Sequence, residues 1–241
     1  MNFTYDDYCG LINALRDNGY ALTDYHDYEK HPRCVILRHD VDNSLTRAAC
    51  MAELEAEHGV RSTYFILLRT DFYNAASASA QRLLGRMLAL GHEIGLHFDE
   101  AAYPIGTPEE TVERILRERD VLSAILQTSV TAVSMHRPSK ATLEADLKIP
   151  GMVNSYGDTF FHSFKYLSDS RRRWREPVES IVGAGTYDRL HILTHPFWYH
   201  EQDRSIAESV GDFIRSAGRE RYLQMAENIT DIGSIIKEDE I

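Results

Sequence analysis

Cysteine is sparse in this sequence, and the few cysteines show no pairing pattern. Cys9, Cys34 and Cys50 are an odd set with no Cys-x-x-Cys pair. Small domains that depend on disulfides carry many cysteines, usually an even number. This excludes a disulfide framework and predicts reduced thiols, as in a cytosolic protein.

Long hydrophobic runs are also missing. No stretch approaches the ~18 consecutive apolar residues that predict a membrane-spanning helix. The first residues, MNFTYDDYCGLINALRDNG, lack the basic region and apolar core of a secretory signal peptide. We therefore expect a cytoplasmic protein without a membrane span.

Positive charge is scarce, since 26 Lys and Arg residues stand against 37 Asp and Glu, a net charge of -11. A chain of this charge repels the phosphates of nucleic acid, so a nucleic-acid partner is not expected. Arg171, Arg172 and Arg173 form the one basic run. No coiled-coil heptad is visible, so the sequence predicts no particular oligomeric state.

Short apolar runs alternate with longer amphipathic segments along all 241 residues, with no repeat or linker. This predicts one α/β domain over residues 1–241 with a parallel sheet, either a barrel or a doubly wound sheet. The predicted strands are 34–39, 62–67, 93–98, 132–136, 151–155, 164–168 and 190–194. The predicted helices are 5–17, 44–58, 76–90, 108–126 and 204–225.

Polar clusters follow five of the seven predicted strands. They read RHDVD, HFDE, HRPS, DS and THP, after the first, third, fourth, sixth and seventh strands. Both α/β architectures bind ligands at the carboxyl ends of their strands. Five clusters at this level predict a single active site.

The first cluster places two carboxylates together. Residues i and i+2 of a strand share a face, so Arg38, Asp40 and Asp42 would lie on one side. Close carboxylates repel unless a cation or shared proton compensates, which suggests that one binds a metal ion while the other acts as a base. The alternative is that Asp42 or Asn43 caps the following helix and Asp40 pairs with Arg38 at the surface.

The other clusters supply further candidates, each with a structural alternative. His97 and Asp99 would share a face and suit zinc, although a single histidine can equally be a hydrogen-bonded core residue. At the tip of the fourth strand, His136 adjoins Arg137, which could orient an acid or form a surface ion pair. His195 could be a general acid or a buried imidazole, and we assign the aromatic residues behind it to the core.

Together these motifs resemble the polysaccharide deacetylase family, the NodB-homology domains of carbohydrate esterase family 4, from about Cys34 to Trp198. The HDVD sequence resembles a branch associated with surface-polysaccharide synthesis. The resemblance implies a distorted (β/α) barrel of about seven parallel strands, related to the TIM barrel. It also implies one divalent metal, usually zinc, and removal of an N- or O-acetyl group from a sugar.

The resemblance also implies roles for single residues. Asp40 matches the catalytic base and Asp42 a metal ligand. His97 matches the first histidine of an H-x-x-x-H metal pair, Arg137 the arginine that holds the base, and His195 the general acid.

The last two motifs of the family concern the acid and the pocket. The segment SDSRRRW resembles the family's Asp-and-Trp motif, in which Asp169 would tune His195. Trp174 would line the pocket for the acetyl methyl group together with Leu193.

One position departs from the family pattern, because the second histidine of the metal pair would fall at Ala101. We expect His136 to replace it, with Asp99 as the alternative and Glu100 or His39 as weaker choices. A ligand set of two aspartates and one histidine would favour harder metals than zinc.

The sequence therefore predicts a metal-dependent deacetylase acting on a sugar, and its cytosolic character favours a nucleotide-linked or lipid-linked precursor. One rival is a small-molecule amidohydrolase, such as a deformylase or an allantoinase-like enzyme. Another is a non-catalytic carbohydrate-binding or scaffold protein that has lost the metal, which Ala101 favours. Against that rival, a protein without chemistry has no need for buried charges at its strand ends.

Overall fold

One parallel sheet forms the centre of the protein, whose computed structural model describes residues 1–240. Its strands are β1 (Ala21–Thr23), β2 (Cys34–Val41), β3 (Thr63–Leu67), β4 (Glu93–Asp99), β5 (Ala132–His136), β6 (Val153–Asn154), β7 (Lys165–Ser168) and β8 (Arg189–Thr194). The order is β6-β5-β4-β3-β2-β8-β7, with β1 paired to β2, and all pairings are parallel. This confirms the predicted distorted barrel of about seven parallel strands. The sequence did not predict the three-residue strand β1.

The sheet curls into a half-barrel, as contacts between side chains of distant strands show. Three strand spacings separate β2 from β5, about 14 Å in a flat sheet. Nevertheless, Arg38 in β2 donates hydrogen bonds to Ser134 in β5 at 2.7 Å and to Ser155, just after β6, at 2.8 Å. The half-barrel therefore encloses these polar side chains at the height where β2 ends.

Helices cover the outer face of the sheet. The helices of the first compact unit are α1 (Tyr5–Asp17), α2 (Leu45–Glu57), α3 (Ala78–Ala89), α4 (Pro108–Leu126), α5 (Lys140–Glu144), α6 (Asp158–His162) and α7 (Val178–Ala184). Of these, α6 packs its Phe160 into an aromatic cluster inside the half-barrel rather than on the outer face. Ser44 caps α2 by accepting from the backbone N–H of Arg47, and Thr107 caps α4 in a capping box with Glu110. The cap on α2 fixes where the chain turns after β2.

The alternation of side chains along β2 sorts them between two cores. Val35 and Leu37 pack with the helices, whereas Cys34 and Ile36 join the aromatic cluster inside the half-barrel. All eight residues of β2 are buried, which explains why the strand is a continuous apolar run until its functional end. The same alternation directs Asp40 inward.

The chain forms two compact units, Met1–Glu201 and Gln202–Ile241. The second contains α8 (Ile206–Ala226) and α9 (Ile232–Ile235). The single domain over residues 1–241 stays a prediction. Within residues 1–240, no helix is both long and apolar enough to cross a membrane.

Candidate metal centre and active site

Three side chains converge at the carboxyl end of the sheet. Asp42 directly follows β2, His97 lies in β4, and His136 is the last residue of β5. The Asp42 Oδ1 atom lies 3.2 Å from Nε2 of His97 and 3.8 Å from Nε2 of His136. One ligand atom from each residue lies within 4.8 Å of the other two. The structure thus brings together the three residues that the sequence predicts as metal ligands.

The residues fit a divalent ion. Bonds of about 2.1 Å in tetrahedral geometry separate neighbouring ligand atoms by about 3.4 Å, close to the distances found. Asp42 Oδ1 is buried and has no hydrogen-bond partner among residues 1–240, a costly state for a carboxylate unless a cation binds it. Burial raises the pKa of Asp42, but the histidines around it, His97 first, lower it more, so this pKa lies well below its usual range. Asp42 is therefore ionised and available as a ligand.

Asp99 lies beside one of the ligands. Its Oδ2 atom is 3.3 Å from Nδ1 of His136, the ring nitrogen other than the one near Asp42. A carboxylate on the second nitrogen is typical of metal-binding histidines. Burial and the nearby His97 lower the pKa of His136, which favours the neutral imidazole that a metal requires. Asp99, the predicted alternative ligand, thus supports His136 in this arrangement.

Asp40 lies next to the ligands and is paired with an arginine of its own strand. The Arg38 Nη2 atom donates to Asp40 Oδ2 at 2.8 Å, and both side chains are buried. This corrects the position expected for Arg137, which donates to Asp99 at 2.8 Å and whose side chain is 67% exposed. The physical reason is the two-residue period of β2, which puts Arg38 on the face of Asp40, whereas Arg137 lies beyond the end of β5. The ion pair expected at the surface is inside the half-barrel.

The environment of Asp40 keeps it ionised with one oxygen free. Burial raises the pKa of Asp40, but the positive charge of Arg38 beside it lowers that pKa more, to below the usual range. The second oxygen, Oδ1, is buried and accepts no hydrogen bond from any residue that the structure describes. Asp40 therefore offers free lone pairs beside the metal ligands, as a general base requires.

His195 and Asp169 form a second ionisable pair beside the cluster. The His195 Nδ1 atom lies 2.6 Å from Asp169 Oδ1, and the His195 backbone N–H donates to Asp169 Oδ2 at 3.0 Å. Burial lowers the pKa of His195, but the charge and hydrogen bond of Asp169 raise it more, to about 9. Nε2 lies 3.9 Å from Asp42 Oδ2. The imidazolium thus presents its other N–H toward the metal ligands, where it can act as an acid.

A cavity opens above these groups. It is lined by Asp40, Val41, Asp42, Asn43, Ser44, Arg171, His195, Pro196, Phe197 and Trp198. The sequence predicts Trp174 and Leu193 as its walls, but neither is among the lining residues, and Trp174 packs against the helix-side core. The rings of Phe197 and Trp198 form the aromatic part of the wall instead, 4.7 Å apart at 73°. They reach it because a 3₁₀ turn, Pro196–Trp198, follows β8 at once.

The fold and site define an α/β protein with a parallel half-barrel and an Asp-His-His cluster at the carboxyl ends of its strands. No family model matches the sequence. No curated protein matches it either.

Solved structures share part of this architecture. A CE4-family pseudoenzyme from Bacillus anthracis is 16% identical with a TM-score of 0.47, covering 77% of this chain and 61% of its own. The chitin deacetylase of Colletotrichum lindemuthianum is 16% identical with a TM-score of 0.49, covering 83% and 86%. A peptidoglycan deacetylase from Bacillus subtilis is 17% identical with a TM-score of 0.45, covering 77% and 83%. The chain thus spans less than two thirds of the first of these proteins.

Proposed function

We propose that this protein is a metal-dependent hydrolase that removes an acyl group, in the first instance acetyl, from a sugar or sugar precursor. One observation carries the proposal: an ionised carboxylate with an unpaired oxygen and a protonated histidine both lie beside a metal-ligand cluster. Hydrolysis of an amide or ester needs a base for water and an acid for the leaving group, in different protonation states at one pH. Asp40 and His195 have those states.

The metal would be held by Asp42, His97 and His136. Two imidazole nitrogens and one carboxylate oxygen are a ligand set of catalytic zinc sites, which keep a fourth position open. A divalent ion there would polarise the acyl carbonyl and lower the pKa of a bound water toward ~7. We therefore propose zinc as the cofactor.

The protein's own groups divide the remaining work. Asp40, held by Arg38, takes the proton of the attacking water on its free oxygen. His195, oriented by Asp169, donates its Nε2 proton to the departing amine or alcohol. Phe197 and Trp198 provide an apolar wall for the substrate.

His136 bears on the rival in which the protein has lost its metal. That hypothesis rests on the alanine at position 101, which cannot coordinate. The second imidazole that His136 brings near Asp42 supports the proposal that it replaces the histidine missing at position 101. A small-molecule amidohydrolase uses the same groups, so only substrates distinguish it.

The test combines metal analysis with an acetate-release assay. Protein purified without chelator should contain one divalent ion, and acetylated sugars should be hydrolysed faster than formyl amides. Asp40→Asn should lower turnover by about 10²- to 10⁴-fold, the usual contribution of a general base, while metal content persists. Asp71→Asn, at an exposed site, is the matched control.

Three results would contradict parts of this proposal. Turnover retained in Asp40→Asn would remove Asp40 as the base. Protein that stays free of metal after exposure to zinc would favour a carbohydrate-binding protein. Faster hydrolysis of formyl amides would favour the small-molecule enzyme.

A further inference from the structure

Arg171 lines the cavity above Asp40 and His195, yet the proposed reaction gives it no task. Its side chain is exposed, and no residue within 1–240 forms a hydrogen bond or ion pair with it. The net charge of the chain is -11, and carboxylates are abundant. An arginine at the mouth of an active site without an ion-pair partner among the described residues is therefore an uncommon feature of this surface.

The backbone that presents Arg171 has an unusual conformation. Arg171 and Arg172 have φ angles of 61° and 55°, the left-handed region that residues with a β-carbon seldom adopt. Neither is the glycine or asparagine that such positions favour. Conformations of this kind cluster at ligand-binding sites, where the surrounding structure enforces them.

Contacts on both sides of Arg171 hold this loop in place. Before it, the backbone N–H of Ser170 donates to the Ser168 hydroxyl at 3.1 Å. After it, the Arg172 guanidinium lies 4.9 Å from the ring of Phe3, and the Arg173 N–H donates to the Asp169 carbonyl at 3.1 Å. The loop also begins at Asp169, the partner of His195. Arg171 is thus positioned by the same segment that orients the proposed acid.

We propose that Arg171 binds an anionic group, a phosphate or a carboxylate, carried by the acylated sugar. This rests on the proposed deacetylase function and specifies its substrate class. The planar guanidinium matches both oxyanions with paired hydrogen bonds. The anion would lie at the rim of the cavity, away from the carboxylates of Asp40 and Asp42, while the acyl group reaches the metal ligands.

The experiment compares three N-acetylated sugars: neutral N-acetylglucosamine, its 1-phosphate, and N-acetylglucosaminuronic acid. The wild-type protein should show a higher kcat/KM for at least one anionic sugar than for the neutral one. A charge-assisted contact of this kind typically changes kcat/KM by about 10- to 100-fold. The sugar that shows the preference identifies phosphate or carboxylate as the group bound.

Two variants remove the contact. Arg171→Gln should abolish most of the preference for the anionic sugar. Arg171→Gly should do the same on a backbone that suits φ near 61°, which separates loss of the cation from strain in the loop. Arg173→Gln, an exposed neighbour outside the cavity lining, is the matched control and should keep the preference.

The outcomes separate this inference from the proposed function. No preference in the wild type, or loss by the same factor on neutral and anionic sugars, overturns the role of Arg171. If no sugar is hydrolysed, the proposed function fails, and calorimetric titration with N-acetylglucosamine 1-phosphate and with N-acetylglucosaminuronic acid decides this inference alone. Tighter binding of either anionic sugar to the wild type than to Arg171→Gln supports it, and equal or absent binding of both refutes it.

Discussion

Replacement of Glu55 by glutamine tests how the outer side of the sheet supports the site. Glu55 of α2 is fully buried and its carboxylate accepts four hydrogen bonds. The donors are Tyr8 at 2.5 Å, Ser62 at 2.7 Å, Tyr64 at 2.7 Å and His39 Nε2 at 3.0 Å. Because His39 lies in β2 between the inward-facing Arg38 and Asp40, this carboxylate helps to fix the strand that carries the proposed base.

Two arguments give the size of the effect. A hydrogen bond to a charged group contributes about 1 kcal/mol more than a neutral one, so four contacts suggest a loss of about 4 kcal/mol in Glu55→Gln. Burial raises the pKa of Glu55, but the charge of His39 and the hydrogen bonds of His39 and Tyr8 lower it more, to about 2. The value in an unfolded chain is about 4.3, and this difference corresponds to about 3 kcal/mol. The two values agree.

The sign of the pH dependence follows from the lowered pKa. Glu55 contributes its full stability above about pH 4.3, and the contribution is lost as the pH falls toward 2. Urea unfolding followed by circular dichroism should show Glu55→Gln to be about 3 kcal/mol less stable at pH 7, with the difference shrinking below about pH 4. Glu57→Gln, exposed on the same helix, should change stability by less than about 0.5 kcal/mol. A loss under 1 kcal/mol at pH 7, or one that persists unchanged at pH 2.5, would refute the reasoning.

Two further predictions concern the site. His136→Ala should weaken zinc binding by about 100-fold in equilibrium dialysis. The binding free energy of zinc in four-ligand sites is ~10–16 kcal/mol, which is about 3 kcal/mol for each ligand. Unchanged affinity would exclude His136 as a ligand, and the exposed His162→Ala is the control. Asp169→Asn should lower the pKa of His195 from about 9 toward its ordinary ~6.5, so the alkaline limb of the kcat/KM profile should move to lower pH. A limb that stays in place would show that Asp169 does not control the acid.

The long elements were predictable from local patterns. The five predicted helices agree with α1, α2, α3, α4 and α8 to within two residues at each end. Strands β2, β4 and β5 were marked by apolar runs that end in polar clusters, and β3 by its apolar run alone. The helices of four to seven residues, α5, α6, α7 and α9, are too short to show a hydrophobic period, and β1 has three residues.

The residues of the site could be predicted only in part, because sequence motifs indicate where strands end but not how the sheet curves. The convergence of Asp42, His97 and His136 follows from their common level at the edge of a parallel sheet. The partner of Asp40 does not, because a motif places Arg137 near the site, whereas the interior of the half-barrel gives Arg38 four polar contacts. The cavity wall depends on a 3₁₀ turn after β8, and a turn of three residues is too short to show a hydrophobic period in the sequence.

The balance of charge around the cavity gives a physical reason for a divalent ion in the proposed reaction. Asp40, Asp42 and Asp169 carry three negative charges, against which Arg38 and protonated His195 supply two positive ones. Because His97 and His136 would bind a metal as neutral imidazoles, these five groups leave one excess negative charge beside the proposed metal, which would oppose an oxyanion forming on the substrate. A divalent cation changes this excess to one positive charge, and the oxyanion then brings the site to neutrality in a region of low dielectric constant. The same balance explains why an additional anion on the substrate would be accommodated at the rim, at Arg171, rather than beside the aspartates.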